Sequence, residues 1–490
     1  MLRFRRAALA PACALVALTL AACGSQLDPQ TVAQAGGGTG VGSNGEVIAG
    51  GGTGTTADGS LPGGSTGTGG TTTGGSGSTG SSGTTTTGGG AGGGGEAPAG
   101  TGANAATGGE KAGSCNGFKN QVGITDKTIT IGNASDISGP VPGLFEASQE
   151  AVRAYVAYFN ATSDICGRKL ELKAYDSRTD AAADQQAYTN GCDETFAMIG
   201  SMSAFDSGGA STAENCGLPD IRSASVTFDR QACSTCYGAQ STVATEFQNA
   251  VPDFVKKNHP DAARNAAMLY INAGAAAENA KTQVSAMENR GMRFGYVQGI
   301  DISEFNYSPY VQQMKDKGIE YVQMIGATAQ FVRLAQAMQQ QGFEPEVFML
   351  DPTAYTRDFV ESGGDAVEGA TLFINFTPFE EAASNKELQL YMSWLQQVKP
   401  GAEPSFFGLF SWSAARLFVE RAAALGGKLS RSSLLADVAK VDNWTANGLH
   451  SPQHTGPRHT GECWRFIQLQ KGRWVPIGGT KYTCSGTTRS

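Results

Sequence analysis

Residues 128–140 read Thr-Ile-Thr-Ile-Gly-Asn-Ala-Ser-Asp-Ile-Ser-Gly-Pro, an alternating segment that runs into a Ser-Gly-Pro turn. Polar and apolar side chains alternate over Thr128–Ile131 with a period of two, as in a half-buried β-strand. Residues 170–175 repeat this alternation, whereas residues 266–271 and 347–350 are continuous apolar runs, typical of strands covered on both faces. These four segments therefore predict β-strands.

Helical patterns separate these strands. One apolar stripe at helical spacing lies within residues 147–158 and another within residues 331–338. Repeated alternation of strands and helices predicts parallel sheets with helices on both faces, which is the α/β class. Strand–helix units fill residues 127–243 and 247–370, and a helical stretch over 386–440 precedes a β-hairpin over 464–477. We expect two α/β lobes joined by several chain crossings that form a hinge.

The N-terminus resembles a bacterial lipoprotein signal. Three arginines lie in the first six residues, and a short apolar run ends in Leu-Ala-Ala before Cys23. A transmembrane helix needs roughly 20 apolar residues, more than this run offers. Residues 1–22 are thus predicted to be a signal peptide, with Cys23 carrying the lipid that anchors the protein outside the cytoplasm. An ordinary secretory signal followed by a chance cysteine is the alternative.

Residues 23–113 are predicted to be a disordered tether. They consist mostly of Gly, Thr, Ser and Ala, which cannot bury enough apolar surface to offset the entropy of ordering. A Gly-rich chain of about 90 residues spans on the order of 50 Å. The remaining stretch of about 375 residues is long enough for two domains. The net charge of −8, without a basic stripe, argues against a nucleic-acid partner.

Cysteine usage agrees with export. Beyond Cys13 and Cys23 the chain has eight cysteines, and an even number outside the cytoplasm indicates disulfides. Local order along the chain predicts the pairs Cys115–Cys166, Cys192–Cys216, Cys233–Cys236 and Cys463–Cys484. A metal site at residues 233–236 with the histidines of residues 450–459 is the alternative, but the second ligand pair of a closed zinc site is not obvious. No metal or cofactor is expected.

Several further segments carry a family resemblance together with residues 128–140. They are Cys-Gly-Arg-Lys-Leu-Glu-Leu at 166–172 followed by Tyr175-Asp176, Met-Ile-Gly-Ser-Met-Ser at 198–203, Gly-Ala-Thr-Leu at 369–372 and Asn-Gly-Leu at 447–449. By their order and spacing, residues 124–480 resemble the extracytoplasmic solute-binding proteins of ABC transporters, in the periplasmic-binding-protein type I class typified by branched-chain amino-acid receptors. Residues 369–372 look like the family's return strand into the first lobe, and residues 447–449 with the hairpin look like its last crossing.

The resemblance implies two Rossmann-like lobes with parallel sheets and a three-crossing hinge. Lobe 1 would comprise residues 114–245 plus 373–444, and lobe 2 residues 246–372 plus 445–490. Ligands of open parallel sheets lie beyond the carboxyl ends of the strands, here near residues 138–140, 201–204 and 224–227. Hydroxyl groups and free backbone N–H groups there suit a carboxylate. The alternative is that these Ser and Thr residues only cap helices.

Transferred residue by residue, the family's pocket predicts contacts at Ser138, Phe145, Ser203, Ala204, Ala224, Ser225, Thr227, Asp351 and Phe407. The tyrosine usual in the second lobe is missing from residues 273–276. Asp351 is left to meet an amino group, or alternatively to cap the next helix. The carboxylate end of an amino-acid site is therefore retained in part, and a small carboxylate, an amide or an aromatic solute fits about as well.

These observations predict a monomeric, lipid-anchored extracytoplasmic receptor that delivers such a solute to an ABC permease. A ligand sensor or a cell-wall regulatory lipoprotein of the same fold, without a role in transport, is the alternative. Catalysis is not expected, because no arrangement of nucleophile and base is readable outside the tether.

Overall fold

The computed structural model describes residues 111–490. The predicted signal peptide, Cys23 and the predicted tether up to residue 110 lie outside the described residues. Gly113, the last residue of the predicted tether, donates its N–H to the carbonyl of Ala423 at 2.9 Å. It is therefore already part of the packed structure. All described residues belong to one compact unit.

The strands and helices alternate along most of this part of the chain. The strands β1–β15 are Thr128–Ser135, Lys169–Asp176, Ala197–Ile199, Asp220–Ala224, Cys236–Gln240, Glu246–Gln248, Ala266–Ile271, Phe294–Ile300, Tyr321–Ile325, Val347–Leu350, Thr371–Ile374, Cys463–Gln470, Arg473–Ile477, Thr483–Cys484 and Thr487–Arg489. The helices α1–α12 are Glu146–Thr162, Ala181–Glu194, Ala210–Asn215, Phe228–Ala232, Ala250–Asn258, Gly274–Asn289, Ser308–Asp316, Thr328–Gln340, Arg357–Gly363, Lys386–Val398, Phe406–Leu425 and Arg431–Val438.

The first lobe is built on a parallel sheet of five strands in the order β2-β1-β3-β4-β5. Alternate side chains of β1 explain how the sheet is covered. Ile129 and Ile131 are fully buried in one core with Tyr155 of α1 and Trp412 of α11, whereas Ala134 faces a second core with Tyr188 of α2. The strand first identified by its period of two is thus buried on both faces, because helices cover each side.

The second lobe contains a sheet in the order β13-β12-β11-β10-β9-β7-β8, with β14 pairing beside β12. Strands β7 to β11 are parallel, and β12 and β13 form the predicted antiparallel hairpin. The interpretation of residues 369–372 as a return strand into the first lobe is wrong. Strand β11 lies between β10 and β12 in the second sheet, and its four residues, Thr-Leu-Phe-Ile, are all buried there.

The hinge consists of three chain crossings that lie side by side. After β11, Asn375 O accepts a hydrogen bond from Ser451 N at 2.8 Å, so the second and third crossings are paired. The first crossing follows β5, where Ser241 N donates to Gln453 Oε1 at 3.0 Å. The fold is therefore two Rossmann-like lobes joined by a three-crossing hinge, as predicted from the sequence.

Four disulfides join the predicted pairs, with Cys115–Cys166, Cys192–Cys216 and Cys233–Cys236 in the first lobe and Cys463–Cys484 in the second. The sulfurs of Cys233 and Cys236 are thus bonded to each other and do not form the alternative metal site. No helix within residues 111–490 combines the length and apolar character needed to cross a bilayer.

Candidate ligand-binding cleft

A cleft between the two lobes encloses a cavity of about 240 Å³. A single water needs only roughly 10–15 Å³ measured with a water-sized probe, so the cavity has room for a small solute. Its walls follow the carboxyl ends of parallel strands in both sheets, including Ala204 after β3, Ala273 after β7 and Gly326 after β9. In both sheets the strand order reverses at these strands, which is where open α/β sheets bind ligands.

The first-lobe wall is mainly apolar. Phe145, at the start of α1, and Phe407, in the first turn of α11, meet edge to face with ring centroids 4.6 Å apart. They pack with Met202 and Ala224 in a small cluster that lines the cavity. Aromatic edge-to-face pairs are rigid and bury large areas, so this wall offers a preformed apolar surface.

The second-lobe wall combines apolar and neutral polar side chains. Ile271, Ile302 and Ile325 follow or end three strands of the second sheet and face the cavity. Asn279 of α6 and Gln330 of α8 contribute amide groups to the same wall. None of these five residues stands out in the sequence, because isoleucines at strand ends look like core positions and Asn279 and Gln330 look like ordinary amphipathic helix positions until the lobes are placed.

Five of the nine predicted contact residues line the cavity, namely Phe145, Ala204, Ala224, Asp351 and Phe407. The other four do not line it. Ser138 is exposed and donates to Asp176 Oδ2 at 2.5 Å, and Ser203 Oγ accepts from Phe205 N at 3.2 Å. The carbonyl of Ser225 accepts from the side chains of Gln231 and Thr242. Thr227 caps helix α4. Their role as ligand contacts stays a prediction, while the structure gives each of them an internal partner.

The backbone N–H groups expected to be free at the strand ends are occupied by the protein's own carboxylates. Asp136 accepts from Ala204 N at 2.8 Å and Thr179 N at 2.9 Å. Asp206 accepts from Val226 N at 3.0 Å and from Thr227 N at 3.2 Å. The expectation of free donors for a ligand carboxylate in the first lobe is therefore wrong at these positions. Burial raises the pKa of Asp136, although its hydrogen bonds oppose this shift.

Asp206 belongs to a fully buried network of charged side chains. Arg222 lies 3.5 Å from Asp206 Oδ2 and 3.2 Å from Asp220 Oδ2. Arg230 reaches Asp220 at 2.9 Å and Asp184 at 2.8 Å. Paired in this way, the buried charges connect the loops that follow β3 and β4 next to the first-lobe wall.

Asp351 both caps a turn and lines the cavity. Its Oδ1 accepts from Thr353 N at 2.8 Å, at the start of the short 3₁₀ turn Pro352–Ala354. Burial raises the pKa of Asp351 to about 6. Both roles considered for this residue from the sequence, facing the pocket and capping, are thus compatible in the structure.

The lobes touch along one rim of the cleft. Ala275 N, in the first turn of α6, donates to Ala204 O at 2.9 Å, and Asn279 Nδ2 donates to Val226 O at 3.1 Å. Gly274 has a φ of +51°, and a Cβ placed there would lie 2.5 Å from Ala204 O. Glycine is therefore required for this close approach. The two lobes are thus in direct contact along this rim.

Among residues 111–490, no group of three or more His, Cys, Asp or Glu side chains is placed to hold a metal ion.

Comparisons with known proteins agree with the fold. A sequence profile described as periplasmic binding protein matches residues 128–473. No curated protein sequence matches the chain significantly.

Solved structures of low sequence identity share the fold. A leucine-binding protein from Thermotoga maritima is 15% identical with a TM-score of 0.60, and the match covers 72% of this chain and 98% of that one. A solute-binding protein from R. palustris in complex with 4-hydroxybenzoate is 16% identical with a TM-score of 0.61, covering 74% and 98%. A fatty-acid ABC transporter substrate-binding protein from Thermomonospora curvata is 17% identical with a TM-score of 0.65, covering 76% and 96%.

The profile spans most of the chain and the topology, hinge and cleft agree with it. The chain belongs to the periplasmic binding protein family.

Proposed function

We propose that this protein is a monomeric, lipid-anchored extracytoplasmic receptor that closes around a small solute with an apolar body and delivers it to an ABC permease. The observation that carries the proposal is the cavity of about 240 Å³ between the lobes, with largely apolar walls at the carboxyl ends of strands from both sheets. Closing two lobes around a solute is the hinge motion by which such receptors exclude water. A cavity of this size suits a small solute rather than a polymer.

The solutes named for similar structures support an apolar body. Those proteins are described as binding leucine, 4-hydroxybenzoate and a fatty acid, each of which has an apolar part. The edge-to-face pair Phe145–Phe407 and the isoleucines of the second lobe provide matching walls here. Binding of an apolar body to such walls gains roughly 25 cal/mol for each Å² removed from water.

Solute binding is tested by isothermal titration calorimetry and thermal unfolding of the purified full chain with small solutes that share an apolar body and differ in their polar group. A ligand at 100 times its Kd is expected to add about 2.7 kcal/mol to the free energy of unfolding. Ala276→Trp would fill the cavity from helix α6 and abolish this gain, whereas Ala182→Trp, on the exposed face of α2, would retain it. A solute that still binds the Ala276→Trp chain with unchanged affinity would place the site elsewhere.

Anchoring and delivery are tested in cells. The Cys23→Ser variant is expected to leave the membrane fraction and to lose labelling by a fatty-acid probe, because residue 23 would carry the lipid. Deleting the gene is expected to abolish uptake of the solute found by calorimetry. Undiminished uptake, with binding intact in the purified protein, would refute delivery and favour a ligand sensor.

A further inference from the structure

We propose that the cleft takes an apolar amine without a carboxylate, rather than an α-amino acid or an organic acid. This inference rests on the proposed function, because it specifies the solute class of the same cleft. Three observations carry it, namely the occupied donors of the first lobe, the charges of the cavity wall and the environment of Asp351.

Four backbone N–H donors of the cavity wall already have acceptors within the protein. After β3 and β4, the N–H groups of Ala204 and Val226 donate to Asp136 and Asp206. Where helices begin at the cavity, Ala275 N donates to Ala204 O and Ala327 N donates to Gln330 Oε1. A ligand carboxylate at Ala204 N or Val226 N would have to displace a buried protein carboxylate, which would then lose a hydrogen bond and remain desolvated.

The charged side chains of the cavity wall are all acidic. Within the described part of the chain, the lining includes Glu246 and Asp351 but no Lys, Arg or His. Glu246 Oε1 lies 3.4 Å from the guanidinium of Arg489, so its charge has a partner. A carboxylate in the cavity would therefore meet charges of its own sign without a basic side chain to offset them.

Asp351 is the group that an amine would satisfy. Among the described residues its carboxylate is hydrogen-bonded only through Thr353 and forms no ion pair. A partly buried carboxylate without a cationic partner is destabilising, and its desolvation accordingly raises its pKa. An ammonium group placed beside Asp351 would donate a charge-assisted hydrogen bond and supply the positive charge that the carboxylate lacks as a partner. The apolar walls would then enclose the body of the solute.

Matched ligands test the proposal in the wild-type full chain at pH 8. The first series shares an isobutyl body and consists of 3-methylbutylamine, leucine, 4-methylpentanoate and the neutral 4-methylpentanamide. The second shares a phenyl body and consists of 2-phenylethylamine, phenylalanine and 3-phenylpropionate. Calorimetry is expected to show the amine of at least one series binding ten times or more tightly than its amino acid, and no detectable binding of its acid.

The outcomes separate the two proposals. Tighter binding of an amino acid or acid than of its amine would overturn the amine proposal and leave the receptor function standing. If no member of either series binds, both the amine proposal and the receptor function are overturned for solutes with an isobutyl or phenyl body. Asp351→Asn is expected to weaken amine binding tenfold or more with little effect on the amide, while Glu246→Gln weakens amine binding less. Equal loss in both variants would overturn the role of Asp351, and circular dichroism identifies a variant that fails to fold.

Discussion

Replacing Asp351 with Asn is expected to stabilise the unliganded protein at neutral pH. The pKa of this carboxyl is raised from 3.8 to about 6 because it is buried, so the folded state binds its proton more tightly than the unfolded state does. At 1.36 kcal/mol per pKa unit, holding the ionised form costs about 3 kcal/mol above pH 6. The free energy of unfolding therefore falls as pH rises from about 4 to about 6, and Asn removes this loss while its amide oxygen still accepts from Thr353 N.

The assay is urea unfolding with the disulfides intact, at pH 7.5 and at pH 4. Asp351→Asn is expected to raise the free energy of unfolding by up to about 3 kcal/mol at pH 7.5 and by almost nothing at pH 4, where the wild-type carboxyl is protonated. Glu246→Gln is the control, because Arg489 lies 3.4 Å from that carboxylate and the substitution gains no stability. A less stable Asp351→Asn protein, or an equal gain at both pH values, would refute the reasoning.

Three further predictions concern the rim, a disulfide and the buried charges. Gly274→Ala is expected to keep the lobes apart, which small-angle scattering would show as a larger radius of gyration. Gly364→Ala is the control, because it carries the same backbone strain at φ +50° but has no atom within 4 Å of the added Cβ. It should leave the radius of gyration unchanged. Cys192→Ser with Cys216→Ser removes a link over 24 residues and should lower the free energy of unfolding by about 3 kcal/mol, whereas mass mapping that finds both thiols free in the wild type would contradict the pairing. Arg230→Ala removes the ion-pair partner of buried Asp184 and one of the two ion-pair partners of buried Asp220, and it should cost about 3–5 kcal/mol in denaturation; a loss below 1 kcal/mol would mean that the network does not hold the loops.

Local patterns were sufficient for the elements whose environment is local. The alternation over Thr128–Ile131, the apolar runs at 266–271 and 347–350 and the closing hairpin all form the predicted strands. The interpretation of residues 369–372 as a return strand into the first lobe is wrong, because four buried residues do not by themselves show which sheet covers them. Pairing with β10 and β12 decides that question.

Some residues of the cleft were likewise predictable from the sequence, and others were not. The family resemblance predicts Phe145, Phe407 and Asp351 as contacts, and all three line the cavity. Asp136 lies in the very segment that indicated the fold, yet its engagement of Ala204 N could not be read there, because the two residues are 68 positions apart. Asp206 likewise meets Val226 N only after the loops have folded.

The amino-acid sequence by itself determined the α/β class, the two lobes and the residues at the strand ends, because periodicity and order along the chain govern local structure and topology. Only the tertiary structure decided which donors remain free for a solute and what charge the cavity presents. Hydrogen-bond satisfaction and burial depend on groups far apart in sequence, and here they engage the N–H groups of Ala204 and Val226 and leave Asp351 at the cavity without an ion pair.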